Sequence, residues 1–202
     1  MSTAATGTTP AERLLAPLFA ARGWEPLPFQ RAAWGAFAAG ESGLITVPTG
    51  SGKTLAAVGG PLAETATAGD GPGRGLQLLY LTPLRAVARD VEAALREAVT
   101  ELDLPLRVEA RTGDTSSAVK KRQRDAMPEV LVTTPESLSV LLSYRHADRL
   151  LRPLRGVVVD EWHELLGSKR GSLLELALAR VRSVAPRVRT WALSATLANP
   201  AE

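Results

Sequence analysis

The chain has 202 residues, of which 45% are hydrophobic, and its net charge at pH 7 is only +3. We expect one globular, soluble domain without a membrane span, because no apolar run approaches the length of a transmembrane helix. The lack of cysteine excludes disulfides and thiolate metal sites, and only two histidines argue against a zinc site. The Ser/Thr/Ala-rich start has neither a basic nor an apolar signal region, which predicts a disordered leader over residues 1–10 and a cytoplasmic protein.

Predicted helices and strands alternate along the rest of the chain. Apolar spacing predicts a first helix over residues 11–21, which Pro17 is expected to break or shift. Further helices are predicted at residues 31–39, 55–58, 84–98, 116–127 and 173–184, and strands at 44–47, 76–81, 106–110, 130–133, 156–159 and 188–193. The Gly/Pro-rich residues 69–75 predict a surface loop. This alternation indicates an α/β domain with a mostly parallel central sheet and helices on both faces.

A glycine-punctuated loop follows the first predicted strand and precedes an alanine-rich helix. Such a loop turns backbone N–H groups towards a bound phosphate and places it at the positive end of the helix. Lys53 can reach the β- and γ-phosphates, and the Thr54 hydroxyl can ligate Mg²⁺. Val47 replaces the first glycine of the usual phosphate-loop pattern, and the alternative is a Gly/Ser turn with a solvated lysine. The nucleotide-binding candidates are Thr49, Gly50, Ser51, Gly52, Lys53 and Thr54.

Two adjacent acids, Asp160 and Glu161, follow a buried apolar strand. An unpaired charge in such a place is costly unless it binds something. Asp160 is suited to hold Mg²⁺ and Glu161 to polarise an attacking water molecule. The alternative is that the acids cap a helix.

Three motifs occur in a fixed order: VPTGSGKT at 47–54, DEWH at 160–163 and SAT at 194–196. Together they resemble the first RecA-like lobe of superfamily-2 DExH helicases, and the string DEWHELLGSKRG is most similar to the Lhr-type and ligase-associated group. The resemblance implies a three-layer RecA-like P-loop NTPase fold with ATP and Mg²⁺ as cofactors. It also implies ATP hydrolysis, 3′-to-5′ translocation on single-stranded DNA, and a role in DNA repair.

The same resemblance assigns further roles in the nucleotide site. Phe29 and Gln30 resemble the adenine-sensing Q motif, in which the glutamine amide pairs with the adenine edge. Phe29 or Trp24 is a candidate to stack on the base, with a core position as the alternative for each. His163 is expected to relay the state of the γ-phosphate. The implied catalytic residues are Lys53, Asp160, Glu161 and His163, and the implied coupling residues are Ser194 and Thr196.

Three segments resemble the nucleic-acid motifs of these helicases: residues 82–85, 111–114 and 133–138. Loops and the helix start after Thr134 can hold backbone phosphates without reading sequence. A basic run at residues 120–124 is either a solvated helix face or a phosphate-binding patch. The nucleic-acid candidates are Pro83, Arg85, Arg111, Thr112, Gly113, Thr134 and Pro135.

The resemblance also predicts how the chain works. Residues 11–202 are expected to be the helicase ATP-binding domain, with the second RecA-like lobe in a longer chain. That lobe supplies an arginine to the γ-phosphate, so we expect a monomer that hydrolyses ATP poorly alone. A GTPase is excluded because the only asparagine, Asn199, precedes Pro200 and forms no N-K-x-D motif. A small-molecule kinase, a binding module without turnover, and RNA as the substrate stay open as alternatives.

Overall fold

The computed structural model describes residues 7–68 and 75–195. The helices are α1 (Pro10–Ala21), α2 (Pro28–Ala38), α3 (Lys53–Thr67), α4 (Arg85–Glu101), α5 (Ser117–Asp125), α6 (Pro135–Leu142), α7 (Ala147–Leu151), α8 (Trp162–Leu165) and α9 (Lys169–Val184). The strands are β1 (Gly43–Thr46), β2 (Leu78–Leu81), β3 (Val108–Arg111), β4 (Val130–Thr133), β5 (Gly156–Val159) and β6 (Arg189–Ser194). Within these residues, no helix is both long and apolar enough to cross a membrane.

The described strands form one six-stranded sheet in the order β1-β6-β5-β2-β4-β3, and every neighbouring pair is parallel. Alternate residues point to opposite faces, so that Leu78 and Tyr80 belong to one core cluster and Leu79 and Leu81 to the other. Helices α2, α3 and α4 cover the first face, and α6, α7 and α9 cover the second. The predicted α/β class with a parallel sheet between helical layers is confirmed.

The structure corrects the first predicted helix and the end of the predicted leader. Helix α1 runs unbroken through Pro17, because Leu15, Leu18 and Phe19 anchor it in a third apolar cluster. Tertiary packing here outweighs the helix bond that proline cannot make. The Thr9 side chain accepts a hydrogen bond from the Glu12 N–H, so ordered structure begins inside the segment predicted to be disordered.

Several other boundaries shift by a few residues. Strand β2 begins two residues after the predicted start, and α9 begins four residues before it. Helix α6 begins as predicted, with Thr134 as its N-cap and Pro135 in the first turn. The predicted loop at residues 69–75 lies outside the described residues except for Gly75.

Candidate nucleotide site and nucleic-acid edge

The functional candidates gather at one edge of the sheet because all strands are parallel. The phosphate loop follows β1, Asp160 follows β5, and Ser194 ends β6. Strand β6 lies between β1 and β5, so Ser194 stands between the phosphate loop and the acidic pair. With neighbouring strands about 4.8 Å apart, β1 and β5 are separated by about 10 Å. This spacing brings two segments that are far apart in the chain to one site.

The phosphate loop has the backbone shape that a phosphate cradle requires. Gly50 and Gly52 have φ angles of 78° and 86°, in a region that side chains other than glycine rarely enter. The Ser51 hydroxyl donates to the Pro48 carbonyl at 2.6 Å and closes a turn in the loop. Lys53 begins α3 and is only 8% exposed, yet its Nζ has no hydrogen-bond partner among the described residues. A buried cation of this kind fits a phosphate group.

Gln30 contacts the phosphate loop. Its Nε2 donates to the Gly52 carbonyl at 3.1 Å, and its Oε1 accepts from the Leu27 N–H at 2.8 Å. The side chain is 3% exposed, and a Cβ on Gly52 would lie 2.7 Å from Gln30 Nε2. The amide thus ties the start of α2 to the phosphate loop, and its pairing with an adenine edge stays a prediction.

The two aromatic candidates for base stacking differ in exposure. Phe29 is half-buried and packs against the first core cluster. Trp24 is 48% exposed, and the Arg22 guanidinium lies 5.1 Å from the centre of its ring. Of the two, Trp24 has the more accessible ring.

Asp160 is held by a residue that the sequence analysis missed. The Tyr80 hydroxyl donates to Asp160 Oδ2 at 2.7 Å, and the Glu161 N–H donates to Oδ1 at 3.0 Å. Burial raises the pKa of Tyr80 well above its ordinary value, and the charge of Asp160 raises it further, so the hydroxyl stays a donor. The nearby Thr54 side chain lowers this pKa by a smaller amount. The sequence feature that could have pointed to Tyr80 is that its hydroxyl is the one polar group in the otherwise aliphatic strand β2.

Tyr80 thus lies near both residues predicted to bind Mg²⁺, Thr54 and Asp160, and it hydrogen-bonds the second of them. One hydroxyl and one carboxylate suit a hard cation that takes its remaining ligands from phosphate and water. Within the described ranges, no group of three or more acidic, histidine or cysteine side chains forms a metal cluster. The residues present thus fit a metal that arrives with a nucleotide.

Glu161 has strained backbone geometry, with φ 47° and ψ 45°. A left-handed conformation is uncommon outside glycine and persists only where its surroundings hold it. Glu161 Oε2 lies 3.6 Å from His163 Nδ1, and this nitrogen lies 3.0 Å from Ser194 Oγ. The structure thus links the acidic pair to the end of β6, as the predicted relay requires. Thr196 lies outside the described residues.

The side chain of Arg111 points inward. It is 1% exposed, and its guanidinium donates to the Gln123 Oε1 at 3.1 Å and to the Tyr144 hydroxyl at 2.8 Å. A third bond goes to the Lys120 carbonyl. The prediction that this guanidinium binds a nucleic-acid phosphate is therefore wrong in this structure, because the group is used to fasten α5 and the α6–α7 connection to β3.

The neighbouring loop remains a candidate contact. Arg85 makes an ion pair with Asp114 at 2.9 Å, and its guanidinium lies against Gly113, where a Cβ would come within 2.9 Å of it. Thr112 is buried, and its hydroxyl accepts from the Asp114 N–H. Arg85, Gly113 and Thr134 line one small cleft of about 190 Å³. Three separate predicted motifs therefore meet at the carboxyl ends of β2, β3 and β4.

Arg170 links two of these motifs. It donates to the Pro83 carbonyl at 2.6 Å and forms an ion pair with Glu136 in the first turn of α6. Pro83, Thr134 and Pro135 are all buried, so their side chains are not free contact groups. The contribution of these residues is to fix the loop backbone and the start of α6.

A family model described as DEAD/DEAH box helicase matches residues 27–202. The chain belongs to this family. Among its helicase relatives, the Mycolicibacterium smegmatis protein named "Lhr helicase/ probable uracil glycosylase" is 39% identical over 189 residues, covering 88% of this chain and 12% of that protein. The "ATP-dependent helicase Lhr-Core" of Methanothermobacter thermautotrophicus is 37% identical, covering 78% of this chain and 20% of the relative.

Solved helicase structures share the fold. Lhr of Mycobacterium smegmatis, bound to single-stranded DNA and AMP-PNP, superposes with a TM-score of 0.81 at 36% identity, covering 95% of this chain and 25% of that one. MrfA, a DUF1998 helicase bound to DNA and AMPPNP, gives a TM-score of 0.80 at 29% identity, covering 95% and 27%. The helicase resemblance predicted from the motifs is confirmed, and the chain spans a minor part of the length of each of these proteins.

Proposed function

We propose that this chain is the ATP-binding lobe of an Lhr-type, ATP-dependent DNA helicase or translocase. The observation that carries the proposal is the buried Lys53 ammonium, which has no partner among the described residues and lies at the start of α3. Loop N–H groups and a helix N-terminus favour a phosphate at this point. Two relatives of similar fold are named as bound to an ATP analogue and DNA, which supports ATP as the nucleotide.

Thr54 and Asp160 would hold Mg²⁺, which supplies charge neutralisation on the phosphate oxygens when bound. Tyr80 keeps the Asp160 carboxylate in one orientation through its 2.7 Å hydrogen bond. Glu161 positions and polarises the attacking water, and His163 carries the state of the site to Ser194 through its 3.0 Å contact. Each role uses a side chain at the edge between β1 and β5.

Single-stranded DNA would cross the carboxyl ends of β2, β4 and β3. Arg85, the Gly113 loop and the start of α6 line the cleft there and can contact phosphates without reading sequence. The single-stranded DNA named for Lhr supports the choice of polymer. Movement in the 3′-to-5′ direction and a role in DNA repair are part of the proposal through the likeness to Lhr.

The lobe would work with a second RecA-like lobe that supplies an arginine to the γ-phosphate. Such an arginine contributes about 10³–10⁵ in rate where it has been measured in other phosphoryl-transfer proteins. We therefore propose that this chain alone binds Mg-ATP but turns it over slowly, as a monomer.

Single-turnover ATP hydrolysis with Mg²⁺ tests the proposal, measured alone and with single-stranded DNA or RNA. The wild-type chain should bind a fluorescent ATP analogue, and Lys53→Ala should lose that binding. Lys169→Ala is a control that removes an exposed lysine at the start of α9. Equal nucleotide binding by wild type and Lys53→Ala would overturn the assignment of the phosphate site. Fast turnover by the chain alone would overturn the requirement for a second lobe.

A further inference from the structure

A second concentration of positive charge lies away from the nucleotide site. A cavity of about 1180 Å³ is lined by Lys121 and Arg124 from α5, by Tyr144 and Arg145 from the α6–α7 connection, and by Arg149 from α7. We call this cavity the basic cleft. Its cations come from separate elements that fold towards one concave surface, so the cleft is more than one solvated helix face.

The position of the basic cleft sets it apart from the predicted DNA path. Its lining also includes Gly75, Arg107, Met127 and Pro153, which lie within three residues of the starts of β2, β3, β4 and β5. Because these strands are parallel, the cleft opens near the amino edge of the sheet and the motif loops lie at the carboxyl edge. Four-residue strands separate the two edges by about 13 Å. A DNA strand bound at the carboxyl edge would therefore lie on the opposite edge of the sheet from these cations.

The cations of the cleft are available for a ligand. Lys121, Arg124, Arg145 and Arg149 are all exposed, and none of them makes an ion pair with another described residue. Asp125 is the acidic side chain in the lining. Four positive charges facing one negative charge create a local field that attracts a polyanion.

The cations of the basic run in α5 have two different environments. Arg122 pairs with Glu109 at 2.7 Å, and Lys120 donates to the Gly113 carbonyl at 3.1 Å, so these two side chains hold the helix in place. Lys121 and Arg124 line the cleft instead. The sequence run alone could not separate these roles.

Tyr144 organises the cleft and limits what the cleft can bind. Its ring lies 5.2 Å from the Arg124 guanidinium and 5.6 Å from that of Arg111, and its hydroxyl accepts from Arg111. Because the ring already contacts two guanidinium groups, it is not free to stack on a base. The free groups in the cleft are charged donors, which favours contacts to phosphates.

We propose that the basic cleft binds the phosphate backbone of a second segment of nucleic acid, distinct from the strand at the carboxyl edge. Arginine donors match phosphate oxygens in geometry and charge, and such contacts carry no sequence information. The cavity is also larger than the typical small-molecule pocket of about 300–1000 Å³. The choice of nucleic acid over another polyanion rests on the proposed function.

The test compares two charge-neutralised variants of the 202-residue chain. Arg145→Gln/Arg149→Gln removes two cations from the cleft. Arg13→Gln/Arg22→Gln removes one cation from α1 and one from its C-cap, and α1 packs in the third apolar cluster on the other side of the sheet. Binding of a fluorescent single-stranded DNA oligonucleotide is followed by anisotropy over a range of salt concentrations, and thermal unfolding confirms that each variant is folded.

We expect the cleft variant to bind DNA about tenfold more weakly at low salt. Its slope of log affinity against log salt should be shallower by about 1.4, as loss of two phosphate contacts to a single strand predicts. Arg145→Lys/Arg149→Lys should restore most of the slope, because it restores the charge. The α1 variant should bind as the wild type does.

An unchanged affinity and slope in the cleft variant would overturn the proposal. Competition by polyglutamate as effective as that by DNA at equal charge would also overturn it, and would point to an acidic protein segment. Binding of a fluorescent ATP analogue is measured in parallel. If the wild type binds the ATP analogue no better than Lys53→Ala does, that result counts against the proposed function alone. The basic cleft does not contain the phosphate loop, so its own result would still stand.

Discussion

The two halves of the carboxyl edge of the sheet differ in whether their charged side chains are already paired within the protein. In the nucleotide half, at β1, β6 and β5, Lys53 is buried without a described partner and Glu161 has a left-handed backbone. In the nucleic-acid half, at β2, β4 and β3, the charged side chains of Arg85, Arg111 and Arg170 already bind other parts of the protein. Under the proposed function, a compact phosphate group would be bound by unpaired side chains, whereas an extended DNA strand would be bound by loop backbone that paired side chains hold in place.

The largest effect should come from Glu161 in the nucleotide half. Glu161→Gln keeps the shape of the side chain but removes the carboxylate proposed to polarise water, so single-turnover hydrolysis should fall by about 10²–10⁴. Binding of a fluorescent ATP analogue should be preserved. The measurement is hydrolysis at saturating Mg-ATP, with and without single-stranded DNA.

Glu164→Gln is the matched control, because Glu164 is exposed on the short helix α8, for which Glu161 is the N-cap. It should leave hydrolysis unchanged. Equal hydrolysis by Glu161→Gln and the wild type would show that the strained acid has no part in turnover, and the contrast between the two halves would lose its main support.

A smaller effect is expected from Tyr80→Phe, which removes the donor to Asp160 Oδ2 while keeping the ring in the core. Groups that orient a metal ligand typically contribute about 10–100-fold in metal affinity. The Mg²⁺ concentration needed for half-maximal binding of a fluorescent nucleotide should rise by that factor.

Tyr144→Phe removes one hydroxyl from the basic cleft, away from the nucleotide half, and serves as the control. It should weaken the hold on Arg111 without changing the Mg²⁺ dependence. If both variants shift the Mg²⁺ titration equally, Tyr80 acts on general stability, and its assignment as a positioning residue fails.

The smallest expected effect is a difference in the free energy of unfolding between variants of Arg111 and Arg85 in the nucleic-acid half. Arg111→Met leaves Gln123 and Tyr144 without a buried donor, and the free energy of unfolding should fall by about 2 kcal/mol in urea titrations. Arg85→Met breaks an exposed ion pair and should cost less than about 1 kcal/mol.

DNA affinity should show the reverse order. Arg85→Met should weaken binding under conditions where both variants are folded, because Arg85 lines the cleft at the carboxyl edge. Arg111→Met should then bind DNA as the wild type does. A stable Arg111→Met that has lost DNA binding would restore the direct contact predicted from sequence.

The sequence was sufficient where a residue's role follows from its local neighbours. The glycines of the phosphate loop, the acids after an apolar run, and the Thr134 cap before Pro135 are all recognisable from a few adjacent residues. The alternation of strands and helices likewise predicted the α/β class. The expected break at Pro17 was wrong, because packing of α1 against other helices outweighed a local preference.

Other features depend on contacts between residues far apart in the chain. Tyr80 and Asp160 are 80 positions apart, and the parallel register of β2 with β5 places them together. Arg111 was predicted to contact nucleic acid because residues 111–114 resemble a helicase motif, but its guanidinium points inward and donates to Gln123 and Tyr144. The cations of the basic cleft come from different elements, so their convergence is also invisible in the sequence.

The sequence by itself thus determined the family, the fold class and the residues of the proposed nucleotide site, because short motifs specify these. Only the tertiary structure decided the strand order that sets Ser194 between the phosphate loop and Asp160, and which cations are free. The physical reason is that strand order and ion pairing are settled by the packing of the whole sheet. Lys53 is available to a ligand because folding brings its ammonium no partner among the described residues.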